Sequence, residues 1–390
     1  MRLLEWAVHG RNLPEPVAAG SHRVTPFAAS VFRQRRRRLS ERLNSLRIPF
    51  ALITKPVDIF YLTGFRGSAG ALLTGSKTAI LWVDPRYTLQ AREQARGVRV
   101  TETREALTKT VGAWIRKNRP EILGYQDAHL TCAEFTMVRH ESGRGSGFRR
   151  KPLGNLLEEL RMVKDPGEVE RIREAGRLTC EALRDVLPLI QPGAREADLA
   201  SELEYRMRQR GAEAAAFETI VASGPRSAWP HARASSRRLR RGEFVILDLG
   251  AILAAYSADM TRTIYLGSPT RRARKLYESV AEAQQEAVGR LRPGMSGNEA
   301  DAVARDALAR CWLNQYFTHS TGHGVGLEVH ERPRLARSDQ TPIPAGAVVT
   351  VEPGIYVEGY GGVRIEDTVL VCDQGAEILT PAAKEPWFTG

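Results

Sequence analysis

The chain has 390 residues, of which 42% are hydrophobic and 26% charged, and its formal net charge is +12. This length allows two domains with cores of their own, and the composition excludes a fibrous or wholly disordered protein. No apolar run is long enough to span a membrane, the N-terminus lacks the apolar core of a secretory signal, and the four cysteines are widely spaced. We therefore expect a cytoplasmic protein without a membrane partner, a disulfide framework or a thiolate metal site.

Residues 1–38 form a strongly basic segment. They contain eight arginines, four of them consecutive, against two glutamates, and so hold half of the net charge. The segment shows no convincing hydrophobic periodicity. We interpret it as a flexible arm, an organellar presequence or an upstream extension created by too early a start codon. Because basic tails are more often solvated than used for recognition, we expect no specific binding of nucleic acid.

Strand and helix patterns alternate from residue 39 to residue 158. RRLSERLNSL has helical periodicity, IPFALIT predicts a buried strand, and ALLTGSKTAILWVDPRY predicts a hairpin that turns at Gly75 and Ser76. GAWIRKNRP is helical and EILGYQ is strand-like, whereas the glycine-rich, basic residues 141–152 predict a loop. The pattern predicts an α/β domain that has no catalytic motif of its own.

The second predicted domain, residues 159–390, opens with helical patterns and contains two similar segments, 243–266 and 347–371. Each segment has an apolar strand that ends in an acid, with a glycine two residues later. Each then returns along a strand that carries a second acid, followed two residues later by threonine. The acids are Asp248 and Asp259 in the first segment and Glu352 and Glu366 in the second. We expect two similar halves, each with helices packed on a β-hairpin.

These four acids lie in or beside strands that should be buried. Desolvating an ionised carboxylate is prohibitive unless the group is paired or bound to a metal. A single buried acid is more often a hydrogen-bonded structural residue, but four in duplicated positions are hard to explain without cations. Four carboxylates around one divalent ion would leave excess negative charge, so we expect two ions. Oxygen-rich ligation with one imidazole favours Mn(II), Co(II), Fe(II) or Zn(II).

The imidazole comes from HSTGHGVGLEVH, which holds His319, His323 and His330. The spacing of the first two fits one face of a helix. The three glycines disfavour a helix and favour an extended, closely approached backbone. On a strand, His319 and His323 share a face, and His330 lies on the other face unless a bulge intervenes. Taken alone, the cluster is explained equally well by histidines that pack in a loop.

Together these motifs resemble the pita-bread metallopeptidases, in the aminopeptidase P and prolidase branch that cleaves Xaa-Pro bonds. The resemblance covers nearly all of the chain beyond residue 39, and YLTGFRGSAGALLTG and WVDPRY resemble the non-catalytic N-terminal domain of that branch. It implies an α/β (α+β) fold, with a creatinase-like domain followed by a pita-bread domain of two pseudo-twofold halves. It rests on five positions in order, namely Asp248, Asp259, His323 in HSTGHGVGLEVHE, Glu352 in VEPGIY and Glu366 in GGVRIEDT.

The resemblance also implies a role for each of these residues. Asp248 would bind one metal ion, His323 and Glu352 the other, and Asp259 and Glu366 would bridge the two. Glu352 would also carry the proton of the attacking water. Mn(II) is the expected metal, with Co(II) or Zn(II) as substitutes, and the family commonly forms homodimers. Four further residues would hold the substrate or organise the ligands, namely His231, His319, His330 and Arg364.

Several alternative functions remain at this point. A metal-free creatinase-like enzyme and a non-enzymatic relative are disfavoured because all five ligand types are present. A prolidase must recognise the C-terminal carboxylate of a dipeptide, whereas an aminopeptidase P must leave that end open. We favour an aminopeptidase P that acts on peptides with proline in second position, with prolidase as the alternative. Five arginines could attract a carboxylate, although such surface clusters are usually solvated, namely Arg233, Arg237, Arg238, Arg240 and Arg241.

Overall fold

The computed structural model describes residues 25–143 and 147–384 and the backbone of 387–388. Helices of these residues are α1 (Ala29–Ser45), α2 (Pro56–Thr63), α3 (Thr88–Gln94), α4 (Leu107–Asn118), α5 (Cys132–Glu141), α6 (Leu156–Met162), α7 (Pro166–Val186), α8 (Glu196–Gln209), α9 (Arg271–Arg290) and α10 (Gly297–Arg310). Short 3-10 helices span Pro85–Tyr87, Leu187–Leu189, Gly224–Ala228 and Asn314–Tyr316.

The strands are β1 (Phe50–Ile53), β2 (Ala71–Gly75), β3 (Ala79–Val83), β4 (Arg99–Glu102), β5 (Ile122–Tyr125), β6 (Arg149–Pro152), β7 (Ala214–Ala215), β8 (Ile220–Ser223), β9 (Phe244–Leu249), β10 (Ala251–Leu253), β11 (Tyr256–Ser257), β12 (Met260–Leu266), β13 (Gly322–Gly324), β14 (Glu331–Leu335), β15 (Val348–Val351), β16 (Gly354–Val357), β17 (Gly361–Arg364), β18 (Asp367–Cys372), β19 (Gly375–Ile378) and β20 (Trp387–Phe388).

The N-terminal domain is a six-stranded mixed sheet in the order β4-β3-β2-β1-β5-β6, with helices on both faces. Alternate residues of β1 show the two layers. Ala51 and Ile53 pack with the leucines of α1, α2 and α6, whereas Leu52 packs with Val111 and Ile115 of α4. The predicted hairpin is present as β2 and β3, which pair antiparallel. This is the α/β domain expected from the alternating pattern.

The basic segment does not end where its charge pattern suggested. Helix α1 begins at Ala29, and every third or fourth residue along it, Phe32, Arg35, Leu39 and Leu43, is buried. The expected flexible arm at 1–38 is therefore wrong for its last ten residues, which are the first ten of the 17 residues of an amphipathic helix. Residues 1–24 of that segment lie outside the described residues.

Two other boundaries also differ from the expectation. The predicted domain boundary between residues 158 and 159 falls inside α6, whose Leu156, Leu157 and Leu160 pack in the core of the first domain. The basic residues 149–152, predicted as part of a loop, form β6 because β5 offers a free parallel edge. Their side chains are mostly exposed, which is why this strand lacks an apolar pattern.

The C-terminal domain consists of two halves of similar construction. In the first, β9 pairs antiparallel with β12, and α7 and α8 pack on them through one apolar core. In the second, β15 pairs antiparallel with β18, and α9 and α10 supply the corresponding core. The two predicted hairpins are thus the centres of the two halves. Among the described residues, no helix has the length and apolar character needed to cross a membrane.

Helix starts in this domain follow from local side chains. Asp165 and Ser296 cap α7 and α10, each in a reciprocal arrangement with a glutamate three residues later. Such caps satisfy backbone N–H groups that have no partner within the helix.

The 4-stranded sheet has the order β20-β12-β9-β8 and the 5-stranded sheet the order β14-β13-β15-β18-β19. The sequence places one acid of the predicted set at an end of each of the four central strands, β9, β12, β15 and β18.

Candidate metal centre

The four acids of the two hairpins converge because paired strands bring their ends together. Asp248 lies opposite Thr261 in the β9–β12 ladder. Strand β12 begins at Met260, directly after Asp259, so Asp248 and Asp259 lie at the same end of the ladder. In the other half, Val351 pairs with Asp367, so that Glu352 and Glu366 lie side by side just beyond the β15–β18 ladder. The duplicated pattern in the sequence is therefore a duplicated position in space.

His323 reaches the acids from β13, the short strand beside β15. An added Cβ at Gly322 would lie 1.9 Å from the carbonyl oxygen of Thr350, and one at Gly324 would lie 2.2 Å from that of Arg332. Only glycine allows this backbone approach, which confirms the extended conformation expected for the segment. Nδ1 of His323 lies 3.1 Å from the carbonyl oxygen of Gly324. A bond from Nδ1–H to that oxygen leaves Nε2 free to bind a metal ion.

Distances and unsatisfied oxygens both fit a divalent cation. Nε2 of His323 lies 3.7 Å from Oδ2 of Asp259 and 3.4 Å from Oε1 of Glu352. One ligand atom each from Asp259, His323 and Glu366 fall within 4.8 Å of one another. Oδ1 of Asp248 and Oδ1 of Asp259 are buried and have no hydrogen-bond partner. Buried carboxylate oxygens without partners are costly, and a metal ion would satisfy them.

The pKa values of these groups also show that their charges are costly without a cation. Burial raises the pKa of Glu352 to about 8, against the opposing charge of Arg364. Burial and neighbouring carboxylates raise the pKa of Asp259 and of Glu366 well above ordinary values. Burial lowers the pKa of His323 to about 3, so the imidazole is neutral, as a ligand must be. The acids are held close together at a cost that a bound cation would offset.

Arg364 connects one of these acids to the substrate side of the site. Its Nη2 lies 2.7 Å from Oδ2 of Asp248, and its Nε donates to Thr261, whose hydroxyl donates to Glu366. Its Nη1 donates to the hydroxyl of Tyr356 at 2.8 Å. Arg364 is buried, but its anionic neighbours keep its pKa well above the ordinary value. The predicted organising role of Arg364 thus has a concrete set of contacts.

The three outer histidines surround this group. Nε2 of His319 lies 2.8 Å from the hydroxyl of Tyr356, and burial lowers the pKa of His319 to about 4. His330 follows a register shift between His323 and Gly324, and its ring centroid lies 4.3 Å from that of His323. Strand β13 ends at Gly324 and the chain bends through residues 325–330, so the alternation argument does not extend to His330, which the bend brings to this place. His231 is exposed and follows Pro230, whose carbonyl accepts from Arg364.

All nine residues singled out in the sequence line one cleft of about 1560 Å³, which lies between the two domains. The sequence analysis missed Tyr356, although it lies in the VEPGIY motif. It also missed Arg334, which pairs with His323 across the β13–β14 ladder. Residues of the N-terminal domain and the linker, among them Lys55 and Arg161, line the cleft as well.

The five-arginine cluster lies mostly away from the cleft. Arg237 pairs with Glu243, and Arg233 pairs with Glu218 at the surface. Of the five, only Arg233 lines the cleft. Arg334 also lines it, and within the part of the chain that the structure describes its guanidinium has no hydrogen bond or ion pair. Among the described residues that line the cleft, Arg334 is thus a cation without a partner, whereas Arg233 of the cluster is paired.

Paired acids, one neutral histidine and a large polar cleft define a metal-dependent hydrolase. Comparison with known proteins agrees, since residues 170–373 match metallopeptidase family M24 and residues 35–163 match the creatinase/prolidase N-terminal domain. The chain belongs to metallopeptidase family M24, whose members use divalent metal ions. It has the pita-bread domain of that family, preceded by the creatinase-type domain, and is a hydrolase.

Relatives narrow the comparison further. The Xaa-Pro dipeptidase of Pyrococcus furiosus is 36% identical over 90% of this chain and 99% of its own. A solved Xaa-Pro dipeptidase from Bacillus anthracis is 36% identical, with a TM-score of 0.88 over 92% of this chain and 100% of its own. The X-Pro aminopeptidase of Thermotoga maritima is 34% identical, with a TM-score of 0.83 over 90% and 99%. The relatives support the prolidase alternative better than the aminopeptidase P that we favoured.

Proposed function

We propose that this protein is a Xaa-Pro dipeptidase that uses two divalent metal ions, with Mn(II) as the preferred ion and Co(II) or Zn(II) as substitutes. The activity class is supported by relatives that carry this name and match over nearly their whole length. The dipeptidase specificity is supported by Arg334, an unpaired cation in the cleft on the strand beside His323. A dipeptide carries its C-terminal carboxylate one residue from the scissile bond, where such a cation can bind it.

The ligand set fits this chemistry. Asp248 would bind one ion, His323 and Glu352 the other, and Asp259 and Glu366 both. Bound divalent ions acidify water and polarise a carbonyl group. Glu352 takes the proton of the attacking water and returns it to the proline nitrogen as the C–N bond breaks, which releases a free amino acid and proline.

The outer residues hold the substrate for this step. The bond before proline has a tertiary amide nitrogen without N–H, so a site for it must orient the substrate through other groups. His231, His319 and His330 line the cleft around the metal ligands, and Arg334 completes the set with a positive charge. Held in this way, the carbonyl carbon faces the water from which Glu352 removes a proton.

Three substrates separate the two specificities: a Xaa-Pro dipeptide, its C-terminal amide and a Xaa-Pro-Xaa tripeptide. We expect kcat/KM for the dipeptide to exceed the other two by at least about tenfold, since a charged hydrogen bond contributes about 1.5–3 kcal/mol. Arg334→Gln should remove this preference by raising KM for the dipeptide alone. Arg332→Gln is the matched control, because Arg332 lines the same cleft but is already paired with Glu158. Equal cleavage of all three substrates by the unmodified protein would instead establish an aminopeptidase P.

The proposal also includes the location of the protein and its oligomeric state. The four cysteines are all free, which supports a reducing, cytoplasmic location. We also propose a homodimer, which light scattering on the full chain would test directly.

A further inference from the structure

A set of six charged groups, four of them buried, joins the two domains next to the cleft. Three cations and three anions alternate in it, so that the set is neutral. It comprises Lys55, Asp58 and Arg161 of the N-terminal domain, Lys164 just after α6, and Glu328 and Glu331 of the C-terminal domain.

Arg161 is the centre of this set. Its Nη1 donates to Oδ1 of Asp58 at 2.6 Å, and its Nη2 donates to Oε1 of Glu331 at 2.7 Å and also to Glu328. The side chains of Arg161, Asp58 and Glu331 are each only 2% exposed. Burying a charged group requires partners of this kind, so each end of the set fixes the other.

Glu328 and Glu331 stand on either side of His330 in the sequence. Oε1 of Glu331 accepts from the backbone N–H of Glu328 at 3.0 Å, which closes the 328–331 loop on itself. Lys55 holds Glu328 from the N-terminal domain, with Nζ 2.7 Å from Oε2. His330 lies inside this loop, and its ring contacts that of His323. The loop that carries His330 is thus held by three cations that lie far from it in sequence, namely Lys55, Arg161 and Lys164.

We propose that Arg161 is a positioning residue for the peptidase reaction. It fixes the 328–331 loop, and so holds His330 against the ligand His323, while Asp58 and Lys55 make the N-terminal domain a structural part of the active site. This inference rests on the proposed function for its catalytic readout, but the geometry of the loop can be tested without substrate. It also explains why a domain without a metal ligand packs beside the cleft.

The experiment is a double-mutant cycle with Arg161→Lys and His330→Ala. Lysine keeps the charge but loses the planar fork that binds Asp58 and Glu331 together. We expect Arg161→Lys to lower kcat for a Xaa-Pro dipeptide about tenfold, the usual size of an outer-shell effect, with little change in KM. In a His330→Ala background the same change should lower kcat less than twofold. Equal losses in both backgrounds would show that Arg161 does not act through His330.

Arg35→Lys is the matched control. Arg35 is also an interdomain arginine, 3% exposed and paired with Asp165 and Glu168, but it does not contact the 328–331 loop. Both lysine variants should lower the melting temperature, whereas only Arg161→Lys should lower kcat. Hydrogen exchange should become faster at residues 327–331 in Arg161→Lys and stay unchanged there in Arg35→Lys. If the loop exchanges equally slowly in both, the proposal is wrong, whatever the substrate of the enzyme.

A milder variant keeps the test informative if Arg161→Lys does not fold. Lys55 is 25% exposed and contributes one contact to the loop, with Glu328. Lys55→Gln should fold, lower kcat about threefold and show the same loss of effect in the His330→Ala background. Unchanged kcat in Lys55→Gln together with unchanged exchange at residues 327–331 would overturn the inference. Wild-type protein that is inactive on every Xaa-Pro substrate would refute the proposed function alone.

Discussion

Nε2 of His319 lies 2.8 Å from the hydroxyl of Tyr356, and the same hydroxyl accepts a hydrogen bond from Arg364 at 2.8 Å. One phenol thus links a cleft histidine to the arginine that holds Asp248. Burial raises the pKa of Tyr356 to about 12, so the phenol keeps its proton and can donate it to His319. Tyr356 therefore connects His319, through Arg364, to Asp248, one of the predicted metal ligands.

Tyr356→Phe tests this link. The change removes two hydrogen bonds but keeps the ring. It leaves the buried Nε2 of His319 without its partner, at about 1–3 kcal/mol, and leaves Nη1 of Arg364 with the carbonyl of Pro230. We expect kcat to fall about tenfold or more, since 1.4 kcal/mol corresponds to a factor of ten. Metal content, measured by mass spectrometry of the purified protein, should stay at the wild-type level. A parallel loss of metal would show that Tyr356 supports the ligands themselves.

The acids of this site could be predicted because carboxylates are rare in apolar strands, and the sequence shows such strands directly. Asp248 and Glu352 follow strongly apolar strands, and the duplication of that pattern is visible in one dimension. Tyr356 and Arg334 could not be found in this way, because their importance depends on contacts between separate elements. A tyrosine or an arginine in a strand has many ordinary explanations, and only the folded chain shows which groups it meets.

The burial of Arg35 could not be predicted from the sequence around it. A run of four arginines is ordinarily solvated, and nothing within the run indicates that one member is buried. Its burial depends on Asp165 and Glu168, which lie about 130 residues further along the chain and supply the compensating charge. The rings of Phe27 and Tyr61 complete the environment through cation–π contacts. The helical spacing of Phe32, Leu39 and Leu43 was the available signal, and the charge of the run obscured it.

The histidines should separate into two classes on substitution. His323→Ala should lower both metal content and activity, because Nε2 of His323 faces Asp259 and Glu352. His231→Ala and His330→Ala should keep their metal and lose mainly turnover, as expected for groups that touch substrate rather than metal. Metal analysis beside kcat measurements distinguishes the classes. Equal metal loss in all three variants would refute the division.

Removal of metal should change how stability depends on pH. In chelator-treated protein the pKa of Glu352 is raised to about 8, and those of Asp259 and Glu366 are also raised. A group whose pKa is higher in the folded state stabilises the fold when protonated, and this contribution is lost as pH rises from about 4.5 towards 8. The melting temperature of metal-free protein should therefore fall over this range. Added Mn(II) should raise it most at the alkaline end, where the carboxylates are charged.

Asp367 and Arg262 provide a separate test of stability behind the metal site. Asp367 is fully buried, and Arg262 donates to it at 2.7 Å and also to the backbone carbonyl of Glu366. Arg262→Met removes one cation from the buried carboxylate of Asp367 and leaves Lys384 beside it. The change should lower the free energy of unfolding by about 3–5 kcal/mol. Arg173→Met is a suitable comparison, since Arg173 is 39% exposed and should contribute less than about 1 kcal/mol. Denaturant unfolding of both variants, with metal present, gives the two values.

The final prediction concerns the basic segment, for which two truncations should behave differently. Removing residues 1–24 leaves α1 whole, together with the carbonyl of Thr25 that accepts from Arg171. Because every proposed catalytic residue lies at or beyond His231, kcat/KM should stay within about twofold of the full chain. Residues 1–24 hold only three arginines against two glutamates, so salt-sensitive retention on DNA should change little. Removing residues 1–38 also deletes Phe32 and Arg35, both buried, and strips partners from Asp165 and Glu168.

The loss of Phe32 alone should cost about 3–5 kcal/mol, so the shorter chain should melt roughly 10 °C lower or fail to fold. Thermal melts and kcat/KM of both truncations, measured beside the full chain, check this. If the protein without residues 1–38 melted as high as the full chain, α1 would not be the structural helix that its buried face indicates. If the protein without residues 1–24 were folded but inactive, those residues would contribute to the site.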